Sequence, residues 1–354
     1  MSFFEIDGSE KSGSGTILRY SATLTSLLNK SLHLYNIRQK REKKGLRPQH
    51  LKAIEALSDI TKGSLKNAYV SSEEIFYTPG KKILSDKYDF DITTAGSTTM
   101  LASAIIPVLL FAQNPSTIEI TGGLFQDFAP AAHHLQYIVL PLLKRMKIDI
   151  SLHIIKPGYV PTGEGKIFLK INPIKNFIEP INLESQGQIK KIKTVALSSN
   201  LETQKVSERM AKSFQNEIDK MGINIKSETD LIYDTSAHQK GASLTSWIET
   251  TTGCLIGMDV AGKIGRTSET IGKMVAKQLF EDFLSKSTVD RYTADQLIIY
   301  AALAKGTSKY IIPKMTEHID TNLWLIQKFL NAKYEINNNM LTIYGIGYKP
   351  KQNS

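Results

Sequence analysis

His318-Ile-Asp-Thr-Asn-Leu-Trp-Leu-Ile-Gln-Lys-Phe-Leu330 carries apolar residues at 319, 323, 326 and 330, spacings that put them on one helical stripe. Two other segments share this design, a histidine at the head of a helix-period run. They are Gln49-His50-Leu51, leading to Ile54, Leu57 and Ile60, and His134-Leu135, leading to Ile138, Leu142 and Met146. Another apolar helix precedes each, over residues 14–28, 96–112 and 294–304. Short strand-like runs follow, at residues 74–77, 166–170 and 340–344. A unit of two helices plus strands therefore occurs three times.

One stretch, residues 190–288, breaks the pattern. It reads as a strand (194–197), an amphipathic helix (202–221), three strands (231–233, 243–251, 255–260) and a second helix (269–284). That is a complete α+β unit set into a loop of the repeat.

Hydrophobic residues make up 41% and charged residues 22% of the 354, which excludes collagen-like, coiled-coil and wholly disordered chains. A chain this long needs no staple of metal or disulfide. Cys254 is the only cysteine, so neither an intrachain disulfide nor a thiolate zinc cluster can form. No apolar run reaches 18 residues and the first residues lack a signal-peptide pattern, so no membrane association and a cytoplasmic location are expected. Charge is concentrated: residues 38–52 hold seven cations and one acid, +6 of the chain's net +10. A cationic segment of this density suits a polyanion such as nucleic acid, against the alternative of a solvated basic loop.

Familiar nucleotide motifs fail. Gly158-Tyr-Val-Pro-Thr-Gly163-Glu-Gly-Lys166 has the outline of a P-loop, but Glu164 stands in the lysine position and Ile167 in the Ser/Thr position. Phe4-Glu-Ile-Asp7-Gly8 has Glu5 where covalent nucleotidyltransferases carry a lysine nucleophile.

Several blocks in order across the chain nevertheless carry a family likeness. They are Asp7-Gly8, Gly13-Ser-Gly15-Thr-Ile-Leu-Arg19, Ile37-Arg38 with Arg41, Gly45-Leu46 with Gln49-His50-Leu51, Ala95-Gly96-Ser97 and Gly122-Gly123. Gly158 to Gly165, Tyr292-Thr-Ala-Asp295-Gln296-Leu297 and His318-Ile-Asp-Thr-Asn322 complete the set. Taken together, the chain resembles the RNA 3′-terminal phosphate cyclases. The resulting expectation is an α+β fold of three repeated units, each two helices and a four-stranded sheet, with a smaller α+β domain inserted before the third. Units one and two would span residues 1–185, the insert 186–288 and unit three 289–350.

The resemblance implies an ATP-dependent reaction on RNA with a 3′-phosphate end, through a histidine–AMP adduct and an RNA(3′)pp(5′)A end, closing a 2′,3′-cyclic phosphate. It puts His318 at the nucleophile; Asp320 and Asn322 are near enough in sequence to orient it, though Asp320 is not a residue of the family motif. Arg19, Arg38 and Arg41 would hold triphosphate or RNA phosphate, and Gln49 and His50 the same anions. Tyr292, Asp295 and Gln296 would meet the adenosine, with Pro130 in the same nucleotide pocket. Lys40, Lys43, Lys44 and Arg47 are the expected RNA contacts. A divalent metal, Mg or Mn, is implied without identified ligands, and a homodimer is one possible assembly.

Six positions depart from the family pattern, clustered around nucleotide handling, so ATP affinity, metal dependence or nucleotide preference is expected to differ. Ala131 stands where a second proline is usual and Glu164 interrupts a glycine run. Ser12 replaces a glutamate, Ser103 a glutamine, and Leu124-Phe125 a Thr-Asp pair; Glu10, two positions before Ser12, is the candidate substitute acid. The alternative function is a catalytically weak or inactive cyclase-like RNA-binding protein of ribosome assembly. Presence of His318 favours the enzyme. An enolpyruvyl-transferase-type enzyme shares the repeated architecture but not the blocks at 292–296 and 318.

Overall fold

The computed structural model describes residues 3–349; the expected boundaries at residues 1 and 350 lie outside the described residues. Unit one runs β1 (Phe4–Asp7), α1 (Gly15–Leu28), β2 (Leu32–Tyr35), α2 (Pro48–Thr61), β3 (Ser64–Lys66) and β4 (Ile75–Thr78). Unit two repeats it with β5 (Lys87–Asp91), α3 (Thr98–Leu109), β6 (Ser116–Gly122), a composite second helix, β7 (Ile150–Lys156) and β8 (Gly165–Ile171). That second helix is α4 (Ala132–His134), a π-helical turn over Leu135–Val139, and α5 (Leu140–Arg145). β9 (Asn182–Leu183) follows.

The inserted unit comprises β10 (Ile189–Ser199), a 3₁₀ turn at Glu202–Gln204, α6 (Val206–Lys220), β11 (Glu228–Asp234), β12 (Gly241–Thr250), β13 (Leu255–Ala261) and α7 (Ser268–Leu284). The expected single helix over 202–221 divides at Lys205, whose left-handed backbone ends the 3₁₀ turn before α6 starts. Unit three resumes with α8 (Thr293–Leu303), β14 (Lys305–Ile311), α9 (Glu317–Leu330), β15 (Lys333–Asn337) and β16 (Met340–Ile346).

Three sheets share one topology, β1-β2-β4-β3, β5-β6-β8-β7 and β9-β14-β16-β15. In each the first two strands are parallel and the rest antiparallel. The fold is α+β, three such units with a fourth sheet, β11-β10-β12-β13, in the insertion. The edge strand of the third sheet, β9, precedes the insertion and pairs with β14 beyond it. Among the described residues there are two apolar cores. One runs through the three repeats; the other lies between the insert's sheet and helices α6 and α7.

Helices of the three units pack on one another, α1 against α2, α3 and α9, and α8 against α9. α1 is buried almost all round, so its hydroxyls cannot rely on water. Thr23, Thr25 and Ser26 instead donate to carbonyls one turn back, at Arg19, Ser21 and Ala22. Serine 14 and Thr316 cap α1 and α9, each side chain accepting from a first-turn N–H. Left-handed Asn29 and Asn331 end those helices. No helix among the described residues is long and apolar enough to cross a membrane.

Candidate active site

The amino termini of α1, α2 and α9 meet at one place. His318 is the second residue of α9 and Thr16 the second of α1; His318 Nδ1 and Thr16 Oγ1 lie 3.2 Å apart. His50, in the first turn of α2, presses so closely on α1 that a Cβ on Gly15 would stand 2.2 Å from its Nε2. Each helix start contributes unpaired N–H groups and the positive end of a dipole, so their convergence favours an anion.

Arg19 lies one turn into α1, its side chain buried, and its Nη2 donates to Thr16 Oγ1 at 3.3 Å. Burial and the charges of Arg19 and Arg41, against Glu317, hold half-buried His318 below the ordinary histidine value. The imidazole is therefore neutral at pH 7. His50 is held further down by burial and by Arg19, Arg38 and Arg47. Its Nδ1 accepts from the Arg47 N–H at 3.3 Å.

Other expected contacts are engaged within the protein. Gln49 Oε1 accepts from the Ser97 N–H at 2.9 Å, tying α2 to the start of α3. Arg38 has left-handed backbone (φ 57°) and donates to the carbonyls of Lys43 and Gly45 at 2.5 and 3.0 Å. It thereby shapes the basic loop. Gln296 Nε2 donates to the Tyr292 carbonyl within α8 at 3.1 Å. The partner of His318 is Thr16, not Asp320 or Asn322. Asp320 lies two residues on, pointing off the His318 face, and meets Lys11 at 3.1 Å, while Asn322 Nδ2 donates to the Asp295 carbonyl.

Asp295 sits in α8 with Arg19 acting on its carboxyl. Burial pushes it up to about 7, with Arg19 pulling down and Asp290 pushing up. A carboxyl raised from 3.8 disfavours folding progressively as pH climbs from about 4 to 7, and by a constant amount above that. Asp295→Asn is accordingly expected to melt above the wild type at pH 8, with the difference vanishing by pH 4. Thermal melts across that range check it.

Tyr292, 37% exposed, stands at the head of α8, while Pro130 is partly buried with its carbonyl accepting from Thr99 Oγ1 at 2.7 Å. The Ala131 N–H donates to Asp259 Oδ1 of β13 at 3.3 Å, and burial and the Asp259 charge push the Tyr292 hydroxyl up to about 12. Asp259 itself is raised to about 6 by burial, against the pull of His134. Behind Tyr292 lies a buried pair, His134 Nε2 and Asp290 Oδ1, 3.3 Å apart. Asp290 accepts from the N–H groups of Tyr292 and Thr293, the Thr293 hydroxyl and the Gly257 N–H, at 2.8 to 3.0 Å. Gly15, Thr16, His134, Asp259 and Asp290 were not among the expected site residues. Gly15 and Thr16 lie inside a quoted family block and His134 heads one of the three helix-period runs, whereas Asp259 and Asp290 carry no such signal.

The departures sort differently from expectation. Leu124 and Phe125 are buried, Phe125 against His133 and Tyr159, where apolar side chains belong in the core rather than the cleft. Ser103 donates to the Thr99 carbonyl in its own helix. Ser12 is buried beside the site, its hydroxyl 2.9 Å from that of Ser14 and its N–H on Thr321. Glu10 faces Lys328 at 3.9 Å.

In the basic loop Lys43, Lys44 and Arg41 are exposed. Lys40 differs, donating to the Lys11 carbonyl at 2.8 Å and packing over Gly13. The double variant Lys43→Ala/Lys44→Ala is therefore expected to weaken RNA binding and reduce the slope of log K against log salt by about 1.4, at 0.7 per lost single-strand phosphate contact. An unchanged slope in a salt titration would reduce this segment to a solvated loop.

A family model described as RNA 3′-terminal phosphate cyclase matches residues 10–336. An RNA 3′-terminal phosphate cyclase of Staphylothermus marinus is 34% identical over 363 residues, covering 99% of this chain and all of that protein. Proteins of the same name from Pyrobaculum aerophilum (31% identical; 97% of this chain and 98% of theirs) and Pyrococcus abyssi (32%; 94% of each) are similar over nearly as much.

Proposed function

The chain belongs to the RNA 3′-terminal phosphate cyclase family, and on that premise we propose that it converts RNA 3′-phosphate ends to 2′,3′-cyclic phosphates using ATP. The observation that carries this reading is His318: a neutral, half-buried imidazole held by Thr16 beside Arg19 where three helix amino termini meet.

In the proposed first step Nδ1–H donates to Thr16 Oγ1, which leaves the Nε2 lone pair free. That nitrogen attacks the ATP α-phosphorus, pyrophosphate leaves, and a phosphoramidate holds AMP on His318. Arg19, with Arg41 at the rim, offsets negative charge building on the phosphate oxygens. An oxygen of the RNA 3′-phosphate then takes the AMP, releasing the imidazole. Finally the neighbouring 2′-hydroxyl attacks the activated 3′-phosphorus, closing the ring and expelling AMP. Tyr292 offers an aromatic face to the base and Asp295 an acceptor for a ribose hydroxyl.

A divalent cation, Mg²⁺ or Mn²⁺, is expected to arrive on the triphosphate. Among the described residues no group of three or more His, Cys, Asp or Glu is placed to hold an ion, whereas Mg²⁺ commonly needs few protein ligands beside phosphates and water.

The test is an RNA ending in 3′-phosphate. With ATP and metal its end should become phosphatase-resistant, and a 2′-O-methyl terminal sugar should stall as RNA–pp–A. Tight RNA binding with neither protein–AMP nor a protected end would replace the enzyme with a non-catalytic RNA-binding protein.

A further inference from the structure

Phe128 and Ile264 are fully exposed, at 101% and 104% of their free-residue areas, and they stand on two loops fastened together. Asp127 takes a bidentate pair from Arg266, at 2.8 and 3.0 Å, and Lys263 comes within 3.5 Å of the same carboxylate. Arg266 also donates to the Ala261 carbonyl, fixing its own loop to the end of β13. The Arg266 hydrogen bonds hold the Asp127 carboxyl below its ordinary value, so the clasp persists across neutral pH. Each apolar side chain thus sits beside a residue of an ion-paired anchor and is itself left in water.

The Phe128 loop also has firm roots. It leaves Gly123, whose backbone pairs with Gly96 and Thr98, and returns at Pro130, whose carbonyl accepts from Thr99 Oγ1 at 2.7 Å. Ser97, between those anchors, is the residue that Gln49 holds; Ala131, at the other end, bonds Asp259 beside Tyr292. The loop therefore runs along the rim of the candidate nucleotide site. At its tip Phe128 has φ 68°, a left-handed conformation that a bulky aromatic residue seldom adopts. Such a conformation persists only where the surroundings impose it, and here it turns the ring away from the core.

We propose that Phe128, with Ile264 on the loop clasped to its own, is a stacking platform for the terminal nucleobase of the RNA whose 3′ end enters the site; this rests on the cyclase reading above. Every base offers a π face, so an aromatic platform holds an RNA end without selecting its sequence. Lys263 adds a cation for the phosphate backbone next to it. Pro130 lies two residues along the loop, and the neighbouring Ala131 bonds Asp259 on the Tyr292 side; in the cyclase reading Tyr292 takes the nucleotide's own base, so the outward ring serves the second base of the reaction.

The test compares wild type, Phe128→Ala and Phe128→Trp on two RNAs that differ only in having an intact or an abasic 3′ nucleotide. Binding is read by fluorescence anisotropy, protein–AMP formation with ATP alone in parallel. Loss of one base stack is expected to weaken binding of intact RNA to Phe128→Ala about tenfold, with Phe128→Trp near wild type. The abasic end should cost the wild type a similar factor and cost Phe128→Ala nothing further. Protein–AMP formation should stay within about twofold. Equal binding of intact RNA by wild type and Phe128→Ala, or equal losses on both RNAs, would overturn the platform. A monomer–dimer shift in Phe128→Ala with RNA binding unchanged would overturn it too, assigning the surface to a second copy of the chain. Anisotropy needs no turnover, so a wild type that forms no protein–AMP would sink the cyclase reading while the platform is still measured.

Discussion

His318→Ala is expected to abolish labelling of the protein by α-labelled ATP, while RNA supplied with a preformed 3′-pp-A end still cyclises. The first outcome follows from what surrounds the ring. A nucleophile for the α-phosphorus must be neutral, reachable and held in one orientation. His318 meets all three conditions, through the depressing charges of Arg19 and Arg41, its half-buried position and the 3.2 Å contact with Thr16. His50 is equally neutral but buried against Gly15 and Arg47, so it cannot take over. The second outcome follows from chemistry the RNA brings itself. Its 2′-oxygen lies beside the activated phosphorus, and such placement is worth roughly 7–11 kcal/mol of barrier. Labelling of the variant at wild-type level would remove His318 from the mechanism.

The largest expected effect on stability belongs to Asp290. Its carboxylate has no exposed surface, receives four hydrogen bonds, and lies 3.3 Å from an equally buried His134. Burial alone would neutralise both partners. Instead the His134 charge and the donors hold Asp290 below its ordinary value, and His134 is raised against its own burial chiefly by Asp290. Asp290→Ala would strand a buried imidazole and the N–H groups that start α8, a loss of about 3–5 kcal/mol against a typical domain stability of about 5–15. Because His134 belongs to unit two, Gly257 to the insert and Tyr292 to unit three, the same change should loosen the nucleotide wall and raise KM for ATP. Denaturant unfolding measures the first part and steady-state kinetics the second. A loss below about 1 kcal/mol would mean the pair is a bystander.

Much of the scaffold was legible because it is local. Spacings of three and four marked the helices, and Ser14, where the run 14–28 begins, is the residue that caps α1. The π turn at Leu135–Val139 was not legible, since the stripe of Leu135, Ile138 and Leu142 reads as a regular helix either way. Within the site, residue types were readable and partners were not. Thr16 and His318 are 302 positions apart, and no spacing rule joins them. Charge runs likewise marked the basic loop without telling Lys40, bonded to the Lys11 carbonyl, from Lys43 and Lys44 in solvent. Leu124 and Phe125 were expected to bear on nucleotide handling because of where they fall in the chain. Their burial could only be seen once β6, α4 and Tyr159 had closed around them.

Transfer of AMP from ATP to RNA by one imidazole is the proposed step on which the others depend. It is tested most directly by trapping the labelled protein after brief exposure to ATP and metal, digesting it under mildly alkaline conditions that spare a phosphoramidate, and locating AMP by mass spectrometry. AMP is expected on the peptide containing His318, bound to the ring nitrogen, and is expected to be released to give RNA–pp–A when 3′-phosphate RNA is added before digestion. AMP found on a lysine, on His50 or on any other residue, and chased from there by the RNA, would contradict it.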